Sequence, residues 1–427
     1  MTALVIGAAV SGRAAAALLR TSGETVVVYD ADPAAVRGVA ADRVHGGAWD
    51  RSLLHDVDLV VTSPGVPEHA PPIQDSLNAG IPLWSELELG FRHVEAPIAA
   101  VTGTNGKTTV TDLAARMLQA SGLRAAAVGN IGDPLSAVAG EPWDALAVEA
   151  SSFQLRFVDT FHARVAVLLN LAPDHLDWHG SFQAYATAKA RILERQTDDD
   201  LVVFDADDPG AVTAVVGVRA ARRLPVSGLA LPAGGWGPVD DLLVLGDLKI
   251  PLETMPRTDA VMLVDVAAAA AAARHLGATA DGIREAATGY AAGPHRRQVV
   301  GVWDGVTWID DSKATNPHAA LAAIRDHDSV VLIAGGRNKG LDVSSIPLEP
   351  NLRLVVAIGE AASELAGAGG PVKVADSLEE AVAIADETAR PGDTVLLAPG
   401  CASFDMFRSY AERGERFAAI VRSRKES

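Results

Sequence analysis

The sequence predicts an α/β protein of three domains. The chain of 427 residues exceeds what a single hydrophobic core fills, short β-branched apolar runs recur along it, and Ala-rich stretches of helical length separate those runs. The pattern restarts twice, which places domains at residues 1–92, 93–292 and 293–427.

The runs at 3–7, 25–29 and 58–62 end at Gly, Asp or Ser-Pro-Gly and read as buried parallel strands, with a helix over 12–20 between the first two. This is a βαβ unit of doubly wound character, with its exit expected at 82–97. A second unit opens with a strand at 98–102 and continues through strands near 125–128, 145–149, 165–169 and 201–204. It closes in Ala-rich helices over 262–292, and the Pro-Gly-Trp-Gly insertion at 232–238 reads as a loop or hairpin. The third unit has strands expected at 298–309, 329–334, 353–358 and 394–398, then a helical tail after Asp405.

Composition excludes several classes. An apolar share of 49% and a charged share of 21% are those of an ordinary globular protein. A net charge of -18 argues against a broad nucleic-acid or anionic-membrane surface, so any phosphate site must be local. No basic leader and no long uncharged apolar stretch point to membrane insertion. The single cysteine, Cys401, excludes an internal disulfide and fits a reducing compartment, hence the cytoplasm. Of 36 basic residues only seven are Lys, and four of these, Lys107, Lys189, Lys313 and Lys339, fall inside the motifs below. There an amine can do what a guanidinium cannot.

The strongest motif is Gly103-Thr104-Asn105-Gly106-Lys107-Thr108-Thr109 between a strand and an amphipathic helix. It reads as a phosphate-binding loop, one residue shorter than the usual Walker spacing. Backbone N–H groups and the helix N-terminus supply positive charge, Lys107 reaches the β/γ-phosphates, and the Thr108 hydroxyl can ligate Mg²⁺. Glu149, at the end of an apolar strand in Glu-Ala-Ser-Ser-Phe-Gln-Leu, would alone be a solvated strand-end carboxylate. Beside a phosphate loop it becomes a hard oxygen ligand for Mg²⁺. In Asn170-Leu-Ala-Pro-Asp174-His175-Leu-Asp177-Trp178-His179, a lone His would by default be a packed imidazole, but the flanking carboxylates favour a metal-proximal His175. Lys189 follows in the helix expected over 182–194 and has no role that the residues alone assign.

These three motifs, in this order and with a Lys fourteen residues after the His, resemble the central domain of the Mur ligases and the related folylpolyglutamate synthetases. The resemblance covers essentially the whole chain. It implies an N-terminal Rossmann-like UDP-binding domain, a central P-loop ATPase-like domain and a C-terminal Rossmann-like domain. It further implies an ATP-dependent ligase working through an acyl-phosphate, with two Mg²⁺ ions. Lys189 would be carbamylated and share one ion with His175, while Thr108 and Glu149 hold the other.

In the C-terminal third, Gly293-Pro-His295-Arg296-Arg297, Asp310-Asp311-Ser312-Lys313-Ala314-Thr315-Asn316, Gly335-Gly336-Arg337-Asn338-Lys339-Gly340 and Pro399-Gly-Cys401-Ala-Ser403-Phe-Asp405 resemble the D-glutamate-adding members. The resemblance puts Arg296, Asp311 and Lys313 near ATP or the acyl-phosphate. It puts Thr315, Lys339 and Ser403 on the carboxylates of D-glutamate, with Tyr410 beside them. In the first domain the middle Gly of G-x-G-x-x-G is Ala9, so the dinucleotide fingerprint is weak. Ala9, Val10, Ser11, Asp30, Ser63, Gly65 and Asn130 would instead line the pocket for UDP-N-acetylmuramoyl-L-alanine. Where the family often shows His-Asn-x-x-Asn near the adenine, this chain has Val261, Met262 and Asp265, and only Asp265 carries over as an ATP contact. The nearest rival is another Mur-family ligase with a different amino-acid acceptor; the expected partners are small molecules, and the expected state is a monomer.

Overall fold

The computed structural model describes residues 1–218 and 221–425, which form two compact units. The first comprises Met1–Leu171 and Trp178–Tyr290; the second comprises Ala172–Asp177 and the chain from Ala291 onward.

The first unit begins with β1 (Thr2–Ile6), β2 (Thr25–Asp30), β3 (Arg43–Gly46), β4 (Leu59–Thr62) and β5 (Leu83–Ser85), a parallel sheet in the order β3-β2-β1-β4-β5. Alternate residues of β1 enter different cores: Ala3 and Val5 join Ala15, Ala16 and Leu19, while Leu4 and Ile6 join Ile73 and Phe157. Burial on both faces is why such strands read as unbroken apolar runs. The expected helix at 12–20 is Val10–Thr21. Residues 82–97 are not a bare exit: they add β5 and the helix Glu86–Phe91, whose start Ser85 caps by accepting from the Glu88 N–H.

A second parallel sheet contains β6 (Ile98–Thr102), β7 (Ala125–Gly129), β8 (Ala145–Glu149), β9 (Val165–Leu168), β10 (Leu201–Asp205) and β11 (Arg222–Val226), in the order β11-β10-β9-β6-β8-β7. β6 is central, and the C-terminal end of such a strand is where open α/β sheets bind ligands. The 232–238 insertion opens onto a separate antiparallel sheet of β12 (Gly237–Val239), β13 (Leu242–Leu245) and β14 (Leu248–Pro251). The helix Ala260–His275 packs on the helix Lys107–Ala120, and its run of fully buried alanines permits that close approach.

Two contacts tie the sheets of this unit together. The Glu88 carboxylate accepts from the N–H groups of Asp159, Thr160 and Phe161, each at 2.9 Å. Burial alone would push Glu88 up, but these donors, the Thr160 hydroxyl and Arg92 hold it below the usual carboxylate range. Arg156 also forks onto both oxygens of Glu68, at 2.6 and 2.9 Å.

The second unit holds β15 (Gln298–Trp303), β16 (Val306–Asp310), β17 (Val330–Gly335), β18 (Leu352–Ile358), β19 (Val372–Val374) and β20 (Thr394–Leu397), ordered β15-β16-β20-β17-β18-β19. All neighbours are parallel except β15 and β16. The single strand expected at 298–309 is therefore a hairpin. Asp304 and Gly305 both take positive φ, 52° and 75°, as the two central residues of a tight Asp-Gly turn. The tail helix is Tyr410–Lys425. Among the described residues no helix is long and apolar enough to cross a membrane.

Candidate active site

The loop between β6 and the helix Lys107–Ala120 is strapped to the segment after β9. Thr104 N–H donates to the Asn170 carbonyl and Asn105 N–H to Asn170 Oδ1, both at 2.8 Å. Gly106 takes φ +84°, and a β-carbon there would stand 2.6 Å from Asp265 Oδ1 and 2.9 Å from Leu169 Cδ1. The expected ATP contact Asp265 thus lies with its carboxylate against the phosphate loop. Lys107 Nζ folds back onto the carbonyls of Gly103 and Thr104, at 2.9 and 3.0 Å. The helix beginning at Lys107 offers the N–H groups of its first turn to an anion.

β8 delivers Glu149, 3% exposed, to this loop. Its Oε2 accepts from the Thr108 hydroxyl at 2.8 Å and its Oε1 from Asn130 Nδ2 at 2.8 Å. Two hard oxygens from different elements therefore lie side by side at the start of a phosphate-binding helix. No cluster of three or more His, Cys, Asp or Glu that could hold a metal occurs among the described residues. Lys189 is 2% exposed; its Nζ donates to the Gly103 carbonyl at 2.7 Å and lies 4.8 Å from the Tyr185 ring centre. The Tyr185 hydroxyl in turn reaches Thr104 Oγ1 at 3.0 Å.

At the C-terminal ends of β1, β2 and β4 the same unit contains a cavity of about 830 Å³. All seven residues expected around the UDP-linked substrate, Ala9, Val10, Ser11, Asp30, Ser63, Gly65 and Asn130, line it. Asp30 also shapes its own loop, accepting from Ala8 N–H at 2.7 Å and Asp32 N–H at 2.9 Å. Gly7, at φ +92°, lets this turn pack against Ser63, where a β-carbon would come within 2.8 Å. Tyr29, Trp49 and Pro72 form an apolar wall, with the Tyr29 and Trp49 rings edge to face at 4.9 Å. Asn130 belongs to both the cavity lining and the Glu149 cluster.

In the second unit, the Gly293–Arg297 stretch makes a turn in which His295 and Arg297 take φ of +62° and +51°. Buried His295 pairs through Nδ1 with Asp310 Oδ2 at 2.6 Å, and Asp310 Oδ1 accepts from Ser312 N–H at 2.9 Å. The expected ATP residue Asp311 is buried and accepts from Arg297 N–H at 3.2 Å, while Arg296, next to Arg297 in the chain, is half-buried. Lys313 Nζ sits 3.8 Å from the centre of the Tyr410 ring. Lys339 Nζ meets Asp174 Oδ1 at 2.8 Å, and Asn316 Nδ2 meets Asp174 Oδ2 at 3.1 Å. Burial would push Asp174 up, but Lys339 and His175 more than offset it and hold the carboxyl below its usual range. His175 adopts φ +52° and donates its N–H to Asp174 Oδ1. Ser403 is buried at the start of a turn closed by the Met406 and Phe407 N–H groups, and Thr315 is half-buried just before the helix Pro317–Arg325.

Sequence reasoning missed Arg413. It is 1% exposed, its Nε and Nη2 reach the Ser312 hydroxyl and carbonyl at 2.9 Å, and its other bonds go to the Cys401 carbonyl. It staples two expected substrate loops together. Burial draws Arg413 down to about 10, so it stays cationic at neutral pH, and pushes the Cys401 thiol up to about 12. Gly414 was missed as well: a β-carbon there would come within 2.2 Å of His295 Nδ1, so this Gly admits the His295–Asp310 pair. Nothing in a polar helix marks one Arg as buried; only the Arg-Gly neighbourhood hinted at close packing.

The profile of the Mur ligase MurD-like N-terminal domain matches residues 1–85, that of the Mur ligase middle domain residues 101–223, and that of the Mur ligase glutamate ligase domain residues 295–401. The UDP-N-acetylmuramoylalanine--D-glutamate ligase of Frankia casuarinae is 45% identical over 99% of this chain and 94% of that protein. The enzyme of the same name from Salinibacter ruber is 39% identical over 98% of this chain and 97% of that protein. Among solved structures, a pseudomurein peptide ligase type C from Methanothermus fervidus shares the fold at TM-score 0.63 and 19% identity, covering 99% of this chain and 100% of that one. MurF from Thermotoga maritima, in complex with ADP, does so at TM-score 0.59 and 17% identity over 88% and 90%.

Proposed function

The chain belongs to the Mur ligase family, and from that membership we propose that it joins D-glutamate to UDP-N-acetylmuramoyl-L-alanine, with ATP cleaved to ADP and phosphate, in peptidoglycan precursor synthesis. The observation that carries the reading is the double role of Asn130. It lines the cavity built from the seven expected substrate residues, and it bonds the Glu149 carboxylate that Thr108 of the phosphate loop also meets. A substrate carboxylate projecting from that cavity past Asn130 would arrive where a γ-phosphate is held.

The substrate carboxylate attacks the γ-phosphorus and ADP leaves, giving an acyl-phosphate; the D-glutamate amine then displaces phosphate and forms the amide. Lys107, now on the Gly103 and Thr104 carbonyls, turns to the β/γ-phosphates. Thr108 and Glu149 are the oxygens that would hold Mg²⁺, which neutralises phosphate charge when bound. Lys189, buried with its Nζ on the Gly103 carbonyl beside the phosphate loop, is the residue that would carry a carbamate, which would supply the hard oxygens that an ammonium lacks. In the second unit, Arg296, Asp311 and Lys313 serve ATP and the acyl-phosphate, and Thr315, Lys339, Ser403 and Tyr410 serve D-glutamate. A UDP-linked substrate and a thiol that is buried and unpaired in a disulfide fit the cytoplasm.

The test is phosphate release with UDP-N-acetylmuramoyl-L-alanine against a panel of amino acids. D-Glutamate is the expected acceptor; preference for another amino acid would move the chain to a different branch of the family.

A further inference from the structure

Among the polar atoms of the first unit that are buried without a hydrogen-bond partner among the described residues, three belong to neighbouring side chains: Glu86 Oε2, Ser136 Oγ and Gln154 Nε2. Glu86 is fully buried, Gln154 is 1% exposed and Ser136 4%. Glu86 Oε1 is engaged, accepting from Ser136 N–H at 2.7 Å, and the Ser136 and Gln154 side chains both act on the same carboxyl, each favouring its charged form. Buried polar groups are almost always satisfied, so the trio marks a link from Glu86 to Gln154, closed directly or through one enclosed water.

The far end of Gln154 leads to the chemistry. Its Oε1 accepts from Ser151 N–H at 3.0 Å and from the Ser151 hydroxyl at 2.9 Å, while Ser151 Oγ accepts from Gln154 N–H. This reciprocal cap starts the helix Ser152–Arg156 and holds the chain directly after Glu149. The intervening residue is pinned as well: Ala150 N–H donates to the Val101 carbonyl at 2.9 Å, and its carbonyl accepts from the Thr102 hydroxyl at 2.8 Å. The Glu149 carbonyl accepts from Asn130 N–H at 2.9 Å. Gln154 is therefore the adjustable end of an otherwise fastened segment, and Glu86 is what stands against it.

We propose that Glu86 is a positioning residue of the ligase reaction: through Gln154 and Ser151 it sets the backbone that presents the Glu149 carboxylate to Thr108 and Asn130. The proposal rests on the reading of Glu149 as an Mg²⁺ ligand. Burial pushes the Glu86 carboxyl up from the usual carboxylate range, and Gln, which keeps the shape of the side chain and an acceptor oxygen for the Ser136 N–H, is its closest replacement.

The experiment measures phosphate release by the full chain as MgCl₂ is titrated, for the native protein, Glu86→Ala, Glu86→Gln, Gln154→Ala and the Glu86→Ala/Gln154→Ala pair. Loss of a group that orients a metal ligand typically costs about 10- to 100-fold in metal affinity or activity. Glu86→Ala is expected to raise the half-saturating Mg²⁺ concentration at least about tenfold, with the D-glutamate KM unchanged, and Glu86→Gln to return it toward the native value. Gln154→Ala should reproduce the Glu86→Ala shift, and the pair should be no worse than either alone, because both cut one connection. Should Glu86→Ala fail to fold, Glu86→Gln and Gln154→Ala still decide the matter. An unchanged Mg²⁺ dependence in Gln154→Ala, or additive shifts in the pair, overturns the proposal. A native chain that releases no phosphate with D-glutamate overturns the ligase reading and this proposal together, whereas the other failures touch only Glu86.

Discussion

Replacing Lys339 by Ala separates two roles that the structure superimposes on one amine. Lys339 Nζ lies 2.8 Å from Asp174 Oδ1, with side chains 17% and 7% exposed, so the pair is largely withdrawn from water. Removing the cation leaves a buried carboxylate with Asn316 Nδ2 at 3.1 Å and the His175 imidazole 3.8 Å away. Breaking a fully buried pair costs about 3–5 kcal/mol, and the partly wet amine brings the expectation here to about 2–3 kcal/mol. At roughly 2–4 °C per kcal/mol, the melting transition of the second unit should fall by about 5–10 °C. If Lys339 also meets a D-glutamate carboxylate, the D-glutamate KM rises about ten- to a hundredfold while the ATP KM barely moves. Lys339→Met with Asp174→Asn distinguishes the two, because it removes both charges and keeps an acceptor for Asn316. Stability should then recover while the D-glutamate KM stays high. Recovery of both would show that Lys339 only anchors Asp174, and would refute its substrate role. The pH dependence has a fixed sign. Asp174 is held below its usual range, so its contribution is present above the unfolded value of about 3.9 and is lost as pH falls through the folded one. The stability gap between native and Lys339→Ala should be flat above about pH 6 and shrink below about pH 4.

Lys189→Arg keeps the charge but cannot form a carbamate, so phosphate release should drop by at least about the 10- to 100-fold that losing a metal's support costs, and added acetate or formate should restore some turnover to Lys189→Ala only. An active Lys189→Arg would reduce this residue to a buried cation on the Gly103 carbonyl. Burial, with Asp207 and Asp208 nearby, pushes Asp205 up to about 7, so the native chain loses stability as pH rises from about 4 to 7 while only the unfolded state ionises. Asp205→Asn should therefore gain on the native protein across that window, by at most about 4 kcal/mol in denaturant midpoints converted to free energy. Gly414→Ala should force His295 and Asp310 apart and cost about 1–3 kcal/mol, read as a lowered melting transition with slowed ATP turnover; an unperturbed variant would show that the His295–Asp310 contact is not maintained in solution.

The sequence by itself was sufficient for the central strands and for the strand-loop-helix that carries the Gly and Lys spacing of a phosphate loop. Strands buried on both faces, such as β1 and β8, must be continuously apolar, and a phosphate loop needs Gly and Lys at fixed spacing, so both leave marks in a few consecutive residues. Short edge strands left none: β3 is exposed along its length and β5 has three residues, too few for a period to register. The Asp304-Gly305 turn lies inside an apolar run, and an apolar run of that length has the signature of one strand. The pocket residues were legible by resemblance, whereas Trp49 and Tyr29 were not, because an aromatic wall has no spacing rule. Only the tertiary structure decided which charges face each other. Lys339 with Asp174, His295 with Asp310, Arg413 with Ser312 and Cys401, and Glu86 with Gln154 each join segments far apart in the chain. A local pattern records whether a residue is buried, since burial repeats with the period of its helix or strand. It carries no record of which distant partner makes that burial tolerable, because pairing depends on where the chain returns after many residues.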